Sequence, residues 1–243
     1  MKYLETGSGG ADSIVFLHGG NVAGWMWGAQ VPAFEDYHVL VPDLPGFGAS
    51  NALPWPGMAG AADAVAHLIR ERAKGGRAHV VGLSLGSSVA IELALRHPET
   101  CSDLFLASAA VTPLPRATTL ATRAMLLFWG RRGFWAFLAK SYGLPADSVE
   151  RFIETGLGIS VDTARAVYRE ISPGRDVSAL AVPYLAVAGE KDARSIAETS
   201  RRALGGAVAP GLHHQWNIED PQLFNDALRA WITSGELVAG LRE

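Results

Sequence analysis

The fold is decided by residues 79–86, which have the sequence His-Val-Val-Gly-Leu-Ser-Leu-Gly. A short apolar run over 78–83 predicts a buried strand, and apolar positions three and four apart over 85–95 predict a helix directly after it. Ser84 must then occupy a cramped turn, which is sterically accessible because the glycine on each side has no side chain to collide. A turn of this kind pushes the Ser84 hydroxyl clear of the strand.

The same turn has an electrostatic consequence. A helix that begins after Ser84 leaves the backbone N–H of Leu85 free, and a helix N-terminus attracts negative charge. In a chain with 27 glycines, the pattern Gly82-x-Ser84-x-Gly86 is weak evidence by itself, but a strand before it and a helix after it make it specific. The alternative is a turn of small residues that only packs a helix on a sheet.

Apolar runs and helical patterns alternate along the rest of the chain. The predicted strands are 13–17, 37–41, 78–83, 104–107, 184–188 and 207–209, and the predicted helices beside them are 58–72, 85–95, 194–204 and 221–232. This alternation predicts an α/β fold with a mostly parallel sheet covered on both faces. His18, Asp43, Ser84 and the loop at 189–192 each follow a predicted strand, so the candidate chemistry gathers at one edge of the sheet.

The pattern changes between residues 112 and 176. Prolines at 113 and 115 mark a break, and helical patterns follow at 120–129, 134–142, 149–157 and 162–171. The first of these is apolar nearly all round, which predicts burial on more than one side. We therefore predict a core of residues 1–111 and 177–243 and a helical cap of residues 112–176 over the sheet edge. A set of ordinary outer helices is the alternative for this segment.

The composition of the chain limits the kinds of partner that the protein is expected to bind. A net charge of -3 and an isoelectric point near 6.2 argue against nucleic acid or an anionic membrane surface as a partner. The first residues contain no apolar leader, and no apolar run approaches the length of a membrane span. Cys101 is the one cysteine, so no internal disulfide forms. These features predict a cytoplasmic protein, monomeric or homodimeric, that acts on a small molecule.

A serine hydroxyl is a weak nucleophile and needs a neighbouring base, which in turn needs a carboxylate to hold it. His213 and His214 lie in the loop before the closing helix, where no regular structure requires a histidine. Asp192 follows the strand at 184–188, whereas the loop after the strand at 104–107 contains no acid. These positions predict the base and the carboxylate that would serve Ser84. A cap on the following helix is the alternative role for Asp192.

Five segments resemble one known family. They are His18-Gly19-Gly20, residues 43–50, residues 82–86, residues 189–192 and residues 214–221. With them the chain resembles an α/β-hydrolase-fold serine hydrolase over nearly its whole length outside the predicted cap. They occur in that family's order of nucleophile, acid and base.

The resemblance implies a role for each matching residue. Ser84 would be the nucleophile, Asp192 the acid and His214 the base, and the N–H groups of Leu85 and Gly20 would form the oxyanion hole. The family's histidine commonly precedes Glu-x-Pro by five residues, which favours His214, although His213 stays open.

The same resemblance implies what the site lacks. His18 and Asp43 look structural in this family, and no metal or other cofactor is implied. Serine rather than aspartate at position 84 argues against the family's haloalkane dehalogenases and epoxide hydrolases.

The substrate is less constrained by the sequence. The candidates for an apolar pocket are Asn21, Trp25, Trp129, Trp135 and Trp216. Packing of the predicted cap against the core is the alternative role for its aromatic residues. We predict hydrolysis of a small, largely apolar carboxylic ester or lactone. The alternatives are a C–C bond hydrolase or hydroxynitrile-lyase-like enzyme with the same triad, and a non-catalytic ligand-binding relative.

Overall fold

A seven-stranded sheet forms the centre of the protein in the computed structural model, which describes residues 1–198 and 206–242. The strands are β1 (Tyr3–Thr6), β2 (Ser13–Leu17), β3 (His38–Pro42), β4 (Ala78–Leu83), β5 (Cys101–Ala107), β6 (Tyr184–Gly189) and β7 (Ala207–Ala209). Their order across the sheet is β1-β3-β2-β4-β5-β6-β7, with β1 antiparallel to β3 and the other neighbours parallel. The predicted α/β fold with a mostly parallel sheet is confirmed. The sequence did not reveal β1, because this short edge strand is half exposed and carries no apolar run.

Helices connect the strands, as the alternating pattern predicts. They are α1 (Gln30–Ala33), α2 (Gly57–Arg72), α3 (Leu85–Arg96), α4 (Arg116–Met125), α5 (Arg132–Ser141), α6 (Ala146–Gly158), α7 (Val161–Ile171), α8 (Arg194–Glu198), α9 (Trp216–Glu219) and α10 (Pro221–Ser234). The end of the helix predicted over 194–204 lies outside the described residues. Within 1–198 and 206–242, no helix combines the length and the apolar character that crossing a lipid bilayer requires.

The middle of the sheet is the most deeply buried part of the protein. Every residue of β2 and β3 is buried, as expected of strands covered on both faces. An aromatic cluster from distant parts of the chain fills one side. The Trp216 and Phe224 ring centroids lie 4.5 Å apart, and Phe105 of β5 lies 5.3 Å from Phe224. Trp216 in this way packs the closing helices against the sheet.

The segment from 112 to 176, named the helical segment below, carries α4 to α7 between β5 and β6. It has a small aromatic core of its own, in which the Trp135 ring centroid lies 4.5 Å from that of Trp129 and 5.6 Å from that of Phe152. Gly156 makes this packing possible, because a Cβ atom there would lie 2.3 Å from the Trp135 indole. Trp129, Trp135 and Phe152 therefore pack mainly against one another.

The helix predicted over 120–129 differs from expectation. It was expected to be buried on more than one side, but none of the residues of α4 is buried, and the Leu120 side chain is 68% exposed. The physical reason is that Thr118, Thr122 and Met125 face a cavity instead of packing against a neighbouring layer. An apolar composition indicates that a helix avoids water but does not identify what covers it.

Gly86 provides a test of the strand-to-helix packing. A Cβ atom at Gly86 would lie 2.0 Å from the Leu17 carbonyl oxygen, so Gly86→Ala must displace α3 from β2. We expect the free energy of unfolding to fall by more than about 2 kcal/mol, measured by urea denaturation.

Gly133→Ala is the matched control. Gly133 is also the second residue of a helix, α5, and a Cβ atom there would have no neighbour within 4 Å. We expect this change to be neutral or to stabilise the protein by up to about 1 kcal/mol. Equal effects of the two substitutions would contradict the close packing of α3 on β2.

Candidate active site

Ser84 lies at the bend between β4 and α3 in a strained backbone conformation. Its φ of 54° and ψ of -107° are unusual for a residue with a side chain and cost about 1–3 kcal/mol. Two contacts hold the bend: the Ser84 amide donates to the Ala107 carbonyl at 2.9 Å, and the buried Ser87 hydroxyl lies 2.8 Å from the Gly82 carbonyl. The bend is therefore imposed by the packing around it.

Two free backbone amides lie next to this bend. The Leu85 N–H is at the first turn of α3, and the Gly20 N–H follows the end of β2. Neither amide has an acceptor among the described residues. A Cβ atom at Gly20 would lie 3.7 Å from Leu85 Cβ, which shows how close the two backbone segments are. Amides in this arrangement suit a developing negative charge on oxygen.

Asp192 and His214 form a hydrogen-bonded pair. Nδ1 of His214 lies 2.8 Å from Oδ2 of Asp192, whose side chain is 3% exposed. Oδ1 of Asp192 accepts from the Ala193 amide at 2.6 Å. Asp192 therefore accepts from the backbone of its own loop with one oxygen and holds the imidazole with the other, and its hydrogen bond goes to Ala193, ahead of α8, and not to an amide inside the helix. A carboxylate on Nδ1 leaves Nε2 of the ring free to act as an acceptor.

The loops that carry this pair pack tightly. The Lys191 amide donates to the Leu212 carbonyl at 2.8 Å, and a Cβ atom at Gly189 would lie 2.1 Å from the His213 carbonyl oxygen. Glycine at the end of β6 is therefore required for the two loops to meet.

Ser108, directly after β5, supplies a second anchor for His214. It has a φ of 50°, and its hydroxyl donates to the His214 carbonyl at 3.0 Å. The end of β5 therefore holds the backbone of the histidine loop. Sequence reasoning missed Ser108, although its place at a strand end is the same signal that indicated Asp192.

The pKa of His214 is set by opposing effects. Burial lowers it, but the charge of Asp192 and the hydrogen bond to that carboxylate outweigh burial, and the pKa lies above its usual value. Asp192 therefore stabilises the imidazolium that would form when His214 accepts a proton.

His213 has a different partner. Its Nδ1 lies 2.8 Å from Oε1 of Glu219, and its backbone amide donates to Oε2 of the same carboxylate at 3.0 Å. The His213 side chain is 39% exposed, compared with 20% for His214. The geometry therefore favours His214 as the histidine positioned by Asp192.

A cavity of about 380 Å³ brings the candidate groups together. Ser84, Asp192 and His214 line it together with Gly20 and Asn21. In the described part of the chain, no hydrogen bond joins the Ser84 hydroxyl to the His214 ring. Such bonds are often long in the absence of a substrate.

The helical segment forms the opposite wall of this cavity. Its lining residues there are Leu114, Thr118, Thr122, Met125, Ser141, Tyr142, Val167, Tyr168 and Ile171. Leu114, Met125, Val167 and Ile171 give this wall apolar surface, the other five residues add hydroxyl groups, and none of the nine is charged.

The structure places four of the five predicted pocket residues outside the cavity lining. Asn21 lines it, but Trp129, Trp135 and Trp216 are fully buried in the packing described above. The Trp25 indole donates to the Thr155 hydroxyl at 2.9 Å and so ties the core to α6. The prediction of a pocket role for these tryptophans is corrected accordingly. The physical reason is that bulky aromatic rings serve equally for packing and for lining, and composition does not distinguish the two uses.

His18 and Asp43 hold neighbouring loops. Nε2 of the buried His18 accepts from the Leu44 amide at 3.0 Å, and burial lowers the pKa of this ring. Asp43 accepts from the amides of Gly24 and Ala49 at 2.7 and 2.8 Å. Neither side chain lines the cavity.

Comparisons with known proteins agree with this arrangement. Residues 14–227 match the model of the Alpha/beta hydrolase family. An AB hydrolase superfamily protein of Gibberella zeae is 30% identical over 253 residues, which cover 98% of this chain and 86% of the relative. The chain therefore belongs to the α/β hydrolase family.

Two further proteins are similar. The crystal structure of a hydrolase from Pseudomonas aeruginosa superposes with a TM-score of 0.79 at 25% identity, over 96% of this chain and 94% of that one. A pimeloyl-(acyl-carrier protein) methyl ester esterase of Aeromonas hydrophila is 38% identical over 104 residues, which cover 40% of this chain and 37% of the esterase.

The pKa of His214 offers a test of the pair. Because Asp192 raises this pKa against the effect of burial, Asp192→Asn should move it below the ordinary value of about 6.5. The wild-type ring should titrate above that value. The measurement is an NMR titration of the histidine ring signals in both proteins.

Glu219→Gln is the control, because Glu219 bonds to His213. It should leave the titration of His214 unchanged. A His214 pKa that is the same in the wild type and in Asp192→Asn would contradict the pairing.

Proposed function

We propose that this protein is a serine hydrolase that cleaves a small, largely apolar carboxylic ester or lactone through an acyl-enzyme on Ser84. The observation that carries the proposal is that one cavity brings together three kinds of group. They are Ser84 at its strained bend, the hydrogen-bonded pair of Asp192 and His214, and the backbone segments that contain the free amides of Gly20 and Leu85. This is the set of groups that acyl transfer requires.

In the proposed acylation step, the Ser84 hydroxyl attacks the carbonyl carbon of the ester. Nε2 of His214 takes the hydroxyl proton, and Asp192 stabilises the imidazolium from the Nδ1 side. The carbonyl oxygen becomes an oxyanion that accepts from the amides of Leu85 and Gly20. Each donor of this kind lowers the barrier by about 3 kcal/mol. The proton then passes from His214 to the leaving alkoxide, which departs as the alcohol.

Deacylation reverses the roles with water in place of the alcohol. His214 takes a proton from a water molecule, whose oxygen attacks the acyl carbon, and the Ser84 oxygen leaves with the proton that His214 returns. A histidine suits both directions of transfer, since each step uses its base form and then its acid form, and Asp192 favours the acid form by raising the pKa of His214.

Two observations support an ester as the substrate. The cavity wall from the helical segment has apolar surface at Leu114, Met125, Val167 and Ile171 and no charged lining residue, so it favours uncharged acyl or alkyl groups. Part of the chain is also similar to a methyl ester esterase. A serine in place of a carboxylate at position 84 favours acyl transfer over attack on an epoxide.

Substitution of each histidine in turn tests the assignment of the base. His214→Ala should lower kcat for para-nitrophenyl esters by about 10⁴-fold or more, comparable to Ser84→Ala. His213→Ala should lower it by less than about 10-fold, because His213 is held by Glu219 and not by Asp192. Thermal unfolding of each variant verifies that the fold is kept.

A fluorophosphonate probe and a substrate panel complete the test. Mass spectrometry should locate the probe on Ser84 in the wild type and find no label in Ser84→Ala. A wild type that is unlabelled, or a Ser84→Ala variant that still turns over esters, would overturn the proposal. Turnover of a β-diketone with no turnover of any ester would reassign the protein to C–C bond cleavage.

A further inference from the structure

Three polar side chains form a hydrogen-bonded chain in the wall of the cavity. The Tyr168 hydroxyl donates to Oδ1 of Asn21 at 3.0 Å, and Nδ2 of Asn21 donates to the Tyr142 hydroxyl oxygen at 3.1 Å. All three residues line the cavity that Ser84 also lines. The chain joins the loop after β2 to two separate parts of the helical segment.

The direction of this chain determines where one hydrogen points. An asparagine side chain accepts at its oxygen and donates at its nitrogen, so a donor on Oδ1 turns the amide nitrogen towards Tyr142. The Tyr142 oxygen then accepts, and its own hydrogen is left over. Across residues 1–198 and 206–242, that hydrogen has no acceptor. A buried donor without a partner is costly unless a ligand or water satisfies it.

The Tyr142 hydroxyl remains a donor at neutral pH. Burial is the largest effect on it and raises the pKa of Tyr142 to about 12. The ring is also fixed in place, since its centroid lies 5.9 Å from that of Phe152 in a perpendicular contact. The Tyr142 hydroxyl therefore keeps its hydrogen, in a fixed position, over the whole pH range in which a histidine base is neutral and Tyr142 is not ionised.

Tyr142 lies next to the proposed chemistry. Its ring centroid is 6.1 Å from that of His214, and its partner Asn21 directly follows Gly20, whose amide is free. Other hydroxyls of the helical segment in the cavity lining already have acceptors: those of Thr122 and Ser141 donate to the Thr118 and Leu138 carbonyls, and that of Tyr168 donates to Asn21. A substrate oxygen close to the reacting ester would find its donor at Tyr142.

We propose that Tyr142 is a specificity-determining residue that donates a hydrogen bond to an uncharged oxygen of the substrate that lies outside the ester group attacked by Ser84. The inference rests on the proposed function and narrows its substrate class to esters that carry a ketone, hydroxyl or ether oxygen near the scissile bond. Asn21 is a positioning residue, because it acts by orienting the Tyr142 hydroxyl.

The test compares esters that differ by a single oxygen. Methyl acetoacetate against methyl butanoate probes the acyl side, and methoxyethyl acetate against butyl acetate probes the alcohol side. In at least one pair, Tyr142→Phe should lower kcat/KM for the oxygen-bearing ester by about 10- to 100-fold and leave that for its partner within about 3-fold. For each pair, the ratio of the two kcat/KM values is compared between the wild type and Tyr142→Phe. The comparison cancels differences in the intrinsic reactivity of the two esters and in the fraction of folded enzyme.

Thr122→Val is the matched control, since it removes a cavity hydroxyl that already donates to the Thr118 carbonyl and stands outside the chain of Tyr168, Asn21 and Tyr142. It should keep most of the preference for the oxygen-bearing ester. A loss of preference in Thr122→Val with none in Tyr142→Phe would assign the recognition to the threonine and overturn the proposal.

The remaining outcomes are also decisive. An equal loss of kcat/KM on both members of each pair would place the Tyr142 hydroxyl on the oxyanion. No loss on either member would give the hydroxyl a structural role only. Each of these results overturns the inference about Tyr142 and leaves the proposed function standing. If the wild type hydrolyses none of the four esters, the proposed function fails and the inference fails with it.

Discussion

The contact between the start of α3 and the end of β2 is the constraint on which the site depends. Gly86 lies so close to the Leu17 carbonyl that no side chain fits between them. Because α3 is held there, the chain has to turn within one residue, and Ser84 takes a φ of 54°. The packing energy of the sheet and helix therefore maintains a strained serine beside two unpaired amides. Strain of about 1–3 kcal/mol is small compared with the stabilisation from a buried core of this size.

A second constraint is electrostatic. Asp192 is almost completely buried, and its charge is compensated by the His214 ring and by the Ala193 amide. Because β6 ends at a glycine, the acid loop packs directly on the histidine loop, while Ser108 holds the histidine from β5. Three neighbouring strand ends, those of β4, β5 and β6, thus each supply one part of the arrangement. The helical segment contributes further lining residues of the cavity, Tyr142 and Tyr168 among them.

The sequence predicts the parts of this site that obey local rules. The strand, turn and helix around Ser84 follow from apolar spacing and two glycines, and Asp192 follows from its place after a strand. The chain of Tyr168, Asn21 and Tyr142 could not be predicted, because its members lie more than 20 residues apart and meet only through tertiary packing. The predictions of a pocket role for the tryptophans and of burial for α4 were wrong for a related reason. An apolar side chain can either pack in the protein interior or line a cavity, and its apolar character in the sequence does not distinguish these two environments.

The central claim is that the bend places the Ser84 oxygen where both free amides stabilise the charge that forms on a substrate. A crystal structure of the protein after reaction with a fluorophosphonate tests it directly. The account predicts that the phosphoryl oxygen lies about 2.7–3.1 Å from the amide nitrogens of Leu85 and Gly20, with His214 still paired to Asp192. A phosphoryl oxygen turned away from both amides, or phosphorus bonded to a different residue, would contradict it.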